Sequence, residues 1–72
     1  MQNTNYAPEI ASANEFIISH SYDTELRTFI KEMMNKNCSH SENWSEIYDW
    51  MAERYPEATG SLITGITYFC ES

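Results

Sequence analysis

Leu26, Phe29, Ile30, Met33 and Met34 stand at i, i+3, i+4, i+7 and i+8, a spacing that lays apolar side chains along one face of an α-helix. No other stretch fixes its own secondary structure so firmly, and its effect reaches further. A one-sided helix must hide its stripe against other elements of the same small core. With 72 residues, the chain can bury only about 60% of the surface it exposes when unfolded. Every other apolar run is therefore a candidate partner for this helix. Asp23, just ahead of it, has the side chain to accept from the loose N–H groups of the first turn. The Asn- and Ser-rich "NKNCSHS" behind it favours a turn.

The neighbouring elements are less sharply defined. Ser12-Ala13-Asn14-Glu15 reads as a capping box ahead of Phe16, Ile17 and Ile18, and predicts a short helix over about 13–20. The polar residues 1–7 are expected to fray. Asn43 with Glu46 three positions on predicts a helix over 44–55, which Pro56 ends. Beyond the turn "YPEATG", Leu62, Ile63, Ile66, Phe69 and Cys70 again keep helical spacing, although Gly65 weakens any regular element there. The sum is one domain over 1–72, an all-α bundle of three or four helices whose C-terminal half resembles a helix-turn-helix. The alternative is an α+β arrangement with strands near 15–19 and 62–69 flanking two helices, since both runs are rich in β-branched and aromatic residues. For the helical reading, Leu26, Phe29, Ile30, Met33, Trp44, Ile47, Met51, Leu62, Ile66 and Phe69 form the expected core.

Charge narrows the partners. Eleven acids against four bases give a net charge of −7, which repels nucleic acid and anionic membranes and attracts basic protein surfaces. A DNA-reading helix needs Lys or Arg, and "SLITGITYFCES" has neither. No run approaches the ~20 apolar residues of a membrane span, and the N-terminus has no basic start or apolar stretch of a signal peptide. The expected setting is the cytoplasm, or a host cytosol if the source is a virus. Cys38 and Cys70 are then free thiols, and the sequons at Asn37 and Asn43 carry no glycan. A homodimer would enlarge the core of so short a chain.

Five of the eleven acids fall in "SENWSEIYDWMAERYPE". On a wheel of about 100° per residue, Glu46, Asp49 and Glu53 fall within about 40° of Glu42, while Trp44, Tyr48, Met51 and Tyr55 gather opposite. The acidic line runs roughly 16 Å at about 1.5 Å per residue. It is either a solvated face that keeps the protein soluble or a DNA mimic, in which carboxylates one helical turn apart offer Arg and Lys the repeated charge of a phosphate strand. Trp50 lies about 80° from Glu42, beside the acids and off the apolar face, where an interface role explains it better than core packing. Glu42, Glu46, Asp49, Trp50 and Glu53 are accordingly the candidate partner-binding residues, and the expected partner is a protein with a basic surface.

Catalytic, metal and cofactor roles find little footing. Cys38 and His40 sit two residues apart in a Ser/Asn-rich connection with no Gly-rich oxyanion turn. His20, Cys38, His40 and Cys70 have the ligand types of a zinc site but not its paired spacing. The stretch from Gly60 to Gly65 lacks the Lys of a phosphate loop. No enzyme activity, cofactor or metal is therefore expected. In length, acidity and lack of a catalytic constellation, the chain resembles the small inhibitors, anti-CRISPR proteins among them, that phages and plasmids direct at host defence or transcription machinery. It departs from them in gathering its acids on one helix. The resemblance implies a viral protein that binds and blocks another protein. The alternative is a helix-turn-helix-like regulator or a small structural component.

Overall fold

The central element is the last helix of the chain, and it contains a glycine where helix propensity would least favour one. The computed structural model describes residues 6–71, in which four helices follow one another: α1 (Ala7–Ser19), α2 (Thr24–Met34), α3 (His40–Arg54) and α4 (Gly60–Glu71). No strand occurs among the described residues, so the α+β alternative is replaced by an all-α bundle. Each of α1, α2 and α3 packs on α4, and α1 does so most extensively. The principal contact lies at Gly65. A Cβ placed there would come 2.7 Å from the carbonyl carbon of Glu9 and 3.2 Å from Cβ of Ala13, and would overlap the Glu9 carbonyl oxygen. The two backbones meet because neither Gly65 nor Ala13 holds them apart. The glycine that weakens the sequence pattern is thus the residue that permits the packing.

α4 is enclosed by its neighbours. Ile63, Gly65, Ile66, Thr67 and Cys70 are buried on it, and the hydroxyl of Thr67 is satisfied by donating to the carbonyl of Ile63 at 2.7 Å. Around it Ala13, Leu26, Phe29, Ile30, Met33, Ile47 and Met51 complete the core. Phe29 and Ile47 are buried as expected, whereas Trp44, Leu62 and Phe69 are only partly buried at the core's edge. Ile63 and Cys70 fill the centre beside Ile66, because a helix packed on more than one side presents a wider buried arc than a single stripe. Met34 is half exposed: it closes α2.

Two helix starts differ from those predicted. α1 begins at Ala7, with Pro8 in its first turn, so Ser12 and Glu15 lie inside the helix and form no capping box. Proline suits that position because its fixed φ and missing N–H cost nothing there. The frayed start expected for 1–7 falls, for residues 1–5, outside the described residues. Tyr6 precedes α1 and stacks on Tyr68 at 4.4 Å between ring centroids. α3 begins at His40 because Ser39 and Glu42 form the capping box: the Ser39 hydroxyl accepts from the Glu42 N–H at 3.3 Å, and Glu42 accepts from the Ser39 N–H at 3.1 Å. Asn43, the expected cap, is buried inside the helix and donates to Glu71 at 3.2 Å. Asp23 caps α2 as predicted, accepting from the N–H groups of Glu25 and Leu26.

Gly65→Ala should destabilise the fold by about 1–3 kcal/mol through overpacking, even though alanine is the better helix former. Gly60→Ala, where no atom lies within 4 Å of the added Cβ, should stay within a few tenths of a kcal/mol of wild type. Urea denaturation of the two variants beside wild type measures both, and equal stability would mean that α1 does not rest on Gly65.

Candidate functional site

α2 and α3 are bridged by side chains reaching across, and the bridge runs antiparallel. At one end Lys36 pairs with Glu46 at 3.1 Å. In the middle the rings of Phe29 and Trp50 stack with centroids 4.4 Å apart and planes 5° from parallel. At the other end Arg54 reaches Asp23 at 3.2 Å, pairs with Glu25, and sets its guanidinium 5.4 Å from the centre of the Trp50 ring. The stripe that supplies α3's share is Glu46, Trp50 and Arg54, at i, i+4 and i+8.

This arrangement redistributes the predicted acidic line. Glu42 is engaged in the capping box, and Glu46 is held by Lys36. The Glu46 carboxylate, as acceptor and as charge, raises the Lys36 pKa above its usual value. Asp49 and Glu53 are exposed, and their carboxylates make no hydrogen bond or ion pair among the described residues. Trp50 is not the free aromatic of the sequence reading. It is partly buried and packed on the core through Phe29. The wheel places it off the apolar face, but α3 is flanked by α2 as well as α4, and the second neighbour covers that flank. The candidate residues therefore divide into a free pair, Asp49 and Glu53, and a seam, Glu46 and Trp50, with Glu42 at the helix start.

The seam encloses a shallow groove of about 480 Å³ lined by Thr24, Glu25, Thr28, Phe29, Glu32, Glu46 and Trp50. Aromatic rings and the acids of two helices thus face one space. Glu25 and Glu32 do not stand out in the sequence because they belong to the polar side of the α2 stripe, and only the packing of α2 beside α3 brings them to the groove that Glu46 lines.

A second cluster gathers at the far end of this seam. Tyr55 donates a hydrogen bond to the Asp23 carboxylate, and its ring meets Phe16 and His20 edge-on at 5.2 and 5.1 Å. That bond, helped by the backbone N–H of Leu26 and the charge of Arg54, holds the Asp23 carboxyl below the ordinary range against the opposing effect of burial. The same bond, with burial and the Asp23 charge, pushes the Tyr55 hydroxyl up to about 12. Asp23 thus caps α2 and ties it to α3.

The remaining chemistry-bearing residues are dispersed. His20 stacks on Phe16 at 4.1 Å, while His40 faces the Glu71 carboxylate at 3.0 Å. Both cysteines are free; Cys38 is exposed, and burial pushes the Cys70 thiol up to about 11. Among the described residues no three His, Cys, Asp or Glu side chains converge as a metal would require, so the sequence's zinc candidates are not brought together. No described helix is long and apolar enough to cross a membrane. No protein-family model, curated protein or solved structure matches this chain.

The Asp23–Tyr55 pair makes stability depend on pH at both extremes. Tyr55 is raised from 10.0 to about 12, so its contribution is complete below pH 10 and is lost as pH climbs from 10 to 12. Asp23 is lowered from 3.8, so its contribution is present above that value and is lost on acidification below it. Tyr55→Phe should cost roughly 1 kcal/mol at neutral pH and should flatten the loss between pH 10 and 12 relative to wild type. Denaturation midpoints of both proteins across that range check it; parallel curves would exclude the Tyr55–Asp23 bond as the source.

Proposed function

We propose that this chain is a small acidic protein-interaction module that docks on the basic, nucleic-acid-binding surface of another protein. In its narrowest form the proposal is a phage or plasmid inhibitor of a host defence or transcription protein. The observation that carries it is the pair Asp49 and Glu53, exposed one helical turn apart on α3 with no partner among the described residues. Two of the four bases, Lys36 and Arg54, are drawn into the α2–α3 seam, which leaves this outer face negative. A partner's Arg or Lys meets carboxylates there that need not first release an internal cation, and charge-assisted hydrogen bonds to them add affinity and orientation.

A helix-turn-helix-like regulator has less support. α4, which would be its recognition helix, carries no Lys or Arg, and its middle residues are buried against the other helices. Duplex DNA should give no mobility shift at low salt, and a sequence-specific shift would favour the regulator.

Affinity purification from a host lysate supplies the partner for the direct test. Asp49→Asn with Glu53→Gln should weaken its binding about tenfold to a hundredfold, at roughly 0.7–1.4 kcal/mol per matched carboxylate, with little change in stability. Wild-type affinity should fall with added salt because the attraction is partly screened. Titration of both proteins across a salt series decides the matter: salt-insensitive binding that survives the double change would leave this face a solubilising surface only.

A further inference from the structure

We infer that the groove between α2 and α3 is an arginine subsite of this module, taking the guanidinium of one arginine on a basic segment of the partner between Glu32 and Glu46. The inference rests on the docking proposed above and adds to it which side chain is read, and where.

Charge complementarity between two helices is the first support. Glu25 and Glu32 from α2 face Glu46 from α3 across the groove of about 480 Å³, so a planar cation entering it finds acceptors on both walls. Guanidinium suits this better than ammonium, since its rigid fork spans two carboxylates while a Lys meets one as a point charge. Phe29 and Trp50 provide an apolar bed for the methylene stem of an arginine, whose charged head stays at the rim. Thr28 adds a hydroxyl acceptor to the α2 wall.

The chain's own cations supply the second support, because they display the same chemistry at both ends of the seam. Arg54 bridges Asp23 and Glu25 of the α2 side while lying 5.4 Å from the Trp50 ring centre, as a guest arginine would bridge Glu32 and Glu46. Lys36 occupies only one acceptor, Glu46, at 3.1 Å. Both members of that pair are more than a third exposed, and exposed pairs of this kind exchange at little cost. The Glu32 carboxylate makes no hydrogen bond or close ion pair among the described residues; the Lys36 charge acts on it from further off. A guest arginine therefore gains Glu32 outright and shares or replaces Lys36 at Glu46.

The test uses the full chain and three acetylated, amidated pentapeptides of sequence Gly-Ser-X-Ser-Gly, with X arginine, lysine or the neutral isostere citrulline. The chain has two tryptophans, so its two indole N–H signals in a proton–nitrogen correlation spectrum, assigned with Trp44→Phe, report separately on Trp50 and Trp44. The arginine peptide should move the Trp50 signal and the amides of Glu32 and Glu46 saturably. The lysine peptide should bind at least fivefold more weakly, and citrulline should not bind. Glu32→Gln, on an exposed position outside the core, should weaken the arginine peptide roughly tenfold while leaving the spectrum of the free protein folded. Equal binding of arginine and lysine, with shifts centred on Asp49 and Glu53, would overturn the subsite and leave the docking proposal standing. An unmoved Trp50 signal with every peptide would overturn it too, and the salt series with the natural partner would then judge the docking proposal alone.

Discussion

The structure depends on one close approach. The first turns of α1 rest on the backbone of α4 at Gly65, where any side chain larger than hydrogen would strike the Glu9 carbonyl. A small chain gains much from such a contact, because backbones that nearly touch let short residues such as Ala13 seal a core that would otherwise need bulk. The contact also decides which helix lies in the middle. α4 carries no charged residue from Gly60 to Cys70, so it can be enclosed by the other three without burying an ionised group. Every base and all but one of the acids then fall on the surrounding helices and turns. The negative surface is thus a consequence of how the core is made.

With α4 in the centre, α2 and α3 have less need to touch. Long side chains join them, and the junction's components contribute unequally. The Lys36–Glu46 and Arg54–Glu25 pairs are exposed, and such pairs, solvated and screened, contribute little. The Phe29–Trp50 stack buries ring against ring, and aromatic pairs add roughly 0.5–1.5 kcal/mol beyond their buried area. The aromatic stack therefore holds the seam, and the ions select its alignment. The same spacing that requires large side chains to bridge the gap leaves a groove between them.

The sequence made the helices legible where periodicity and capping agreed, as at Asp23 with Leu26, Phe29, Ile30 and Met33. It misplaced boundaries where two local signals competed. Ser39-x-x-Glu42 and Asn43-x-x-Glu46 are both plausible caps, and the reciprocal bonds of Ser39 and Glu42, with Asn43 buried and bonded to Glu71, show that the earlier one is used. At α1, Pro8 with Glu9 in the first turn was the available signal for an earlier start. Gly65 reads as a weakness in one dimension because its reason lies on another helix. The candidate site was half visible for a similar cause: a wheel shows which residues share a face, so Asp49 and Glu53 emerged from it. It cannot show a second helix alongside, so on the wheel Trp50 stands free, and Glu25 and Glu32 carry no signal there.

Those corrections bear on what kind of basic surface would suit the proposed interaction module. A mimic of duplex DNA needs a long, regular array, since each strand of the duplex presents a charge about every 3.4 Å. On α3 the unpartnered acids are Asp49 and Glu53, which span roughly 6 Å along the helix, while Glu42 and Glu46 already have internal partners. The free charge therefore matches a local cluster of one or two cations better than an extended phosphate-binding channel. Affinity from so short an array would be modest if charge acted alone, because exposed pairs are screened and solvated. Tight binding would have to recruit a desolvated contact beside the charges. The α2–α3 groove is such a place: it adjoins Glu46, and its walls combine carboxylates with the flanks of Phe29 and Trp50. A partner that inserts a side chain there while its neighbouring cations meet Asp49 and Glu53 would combine apolar burial with charge matching, and that combination discriminates one basic protein from another where net charge alone does not.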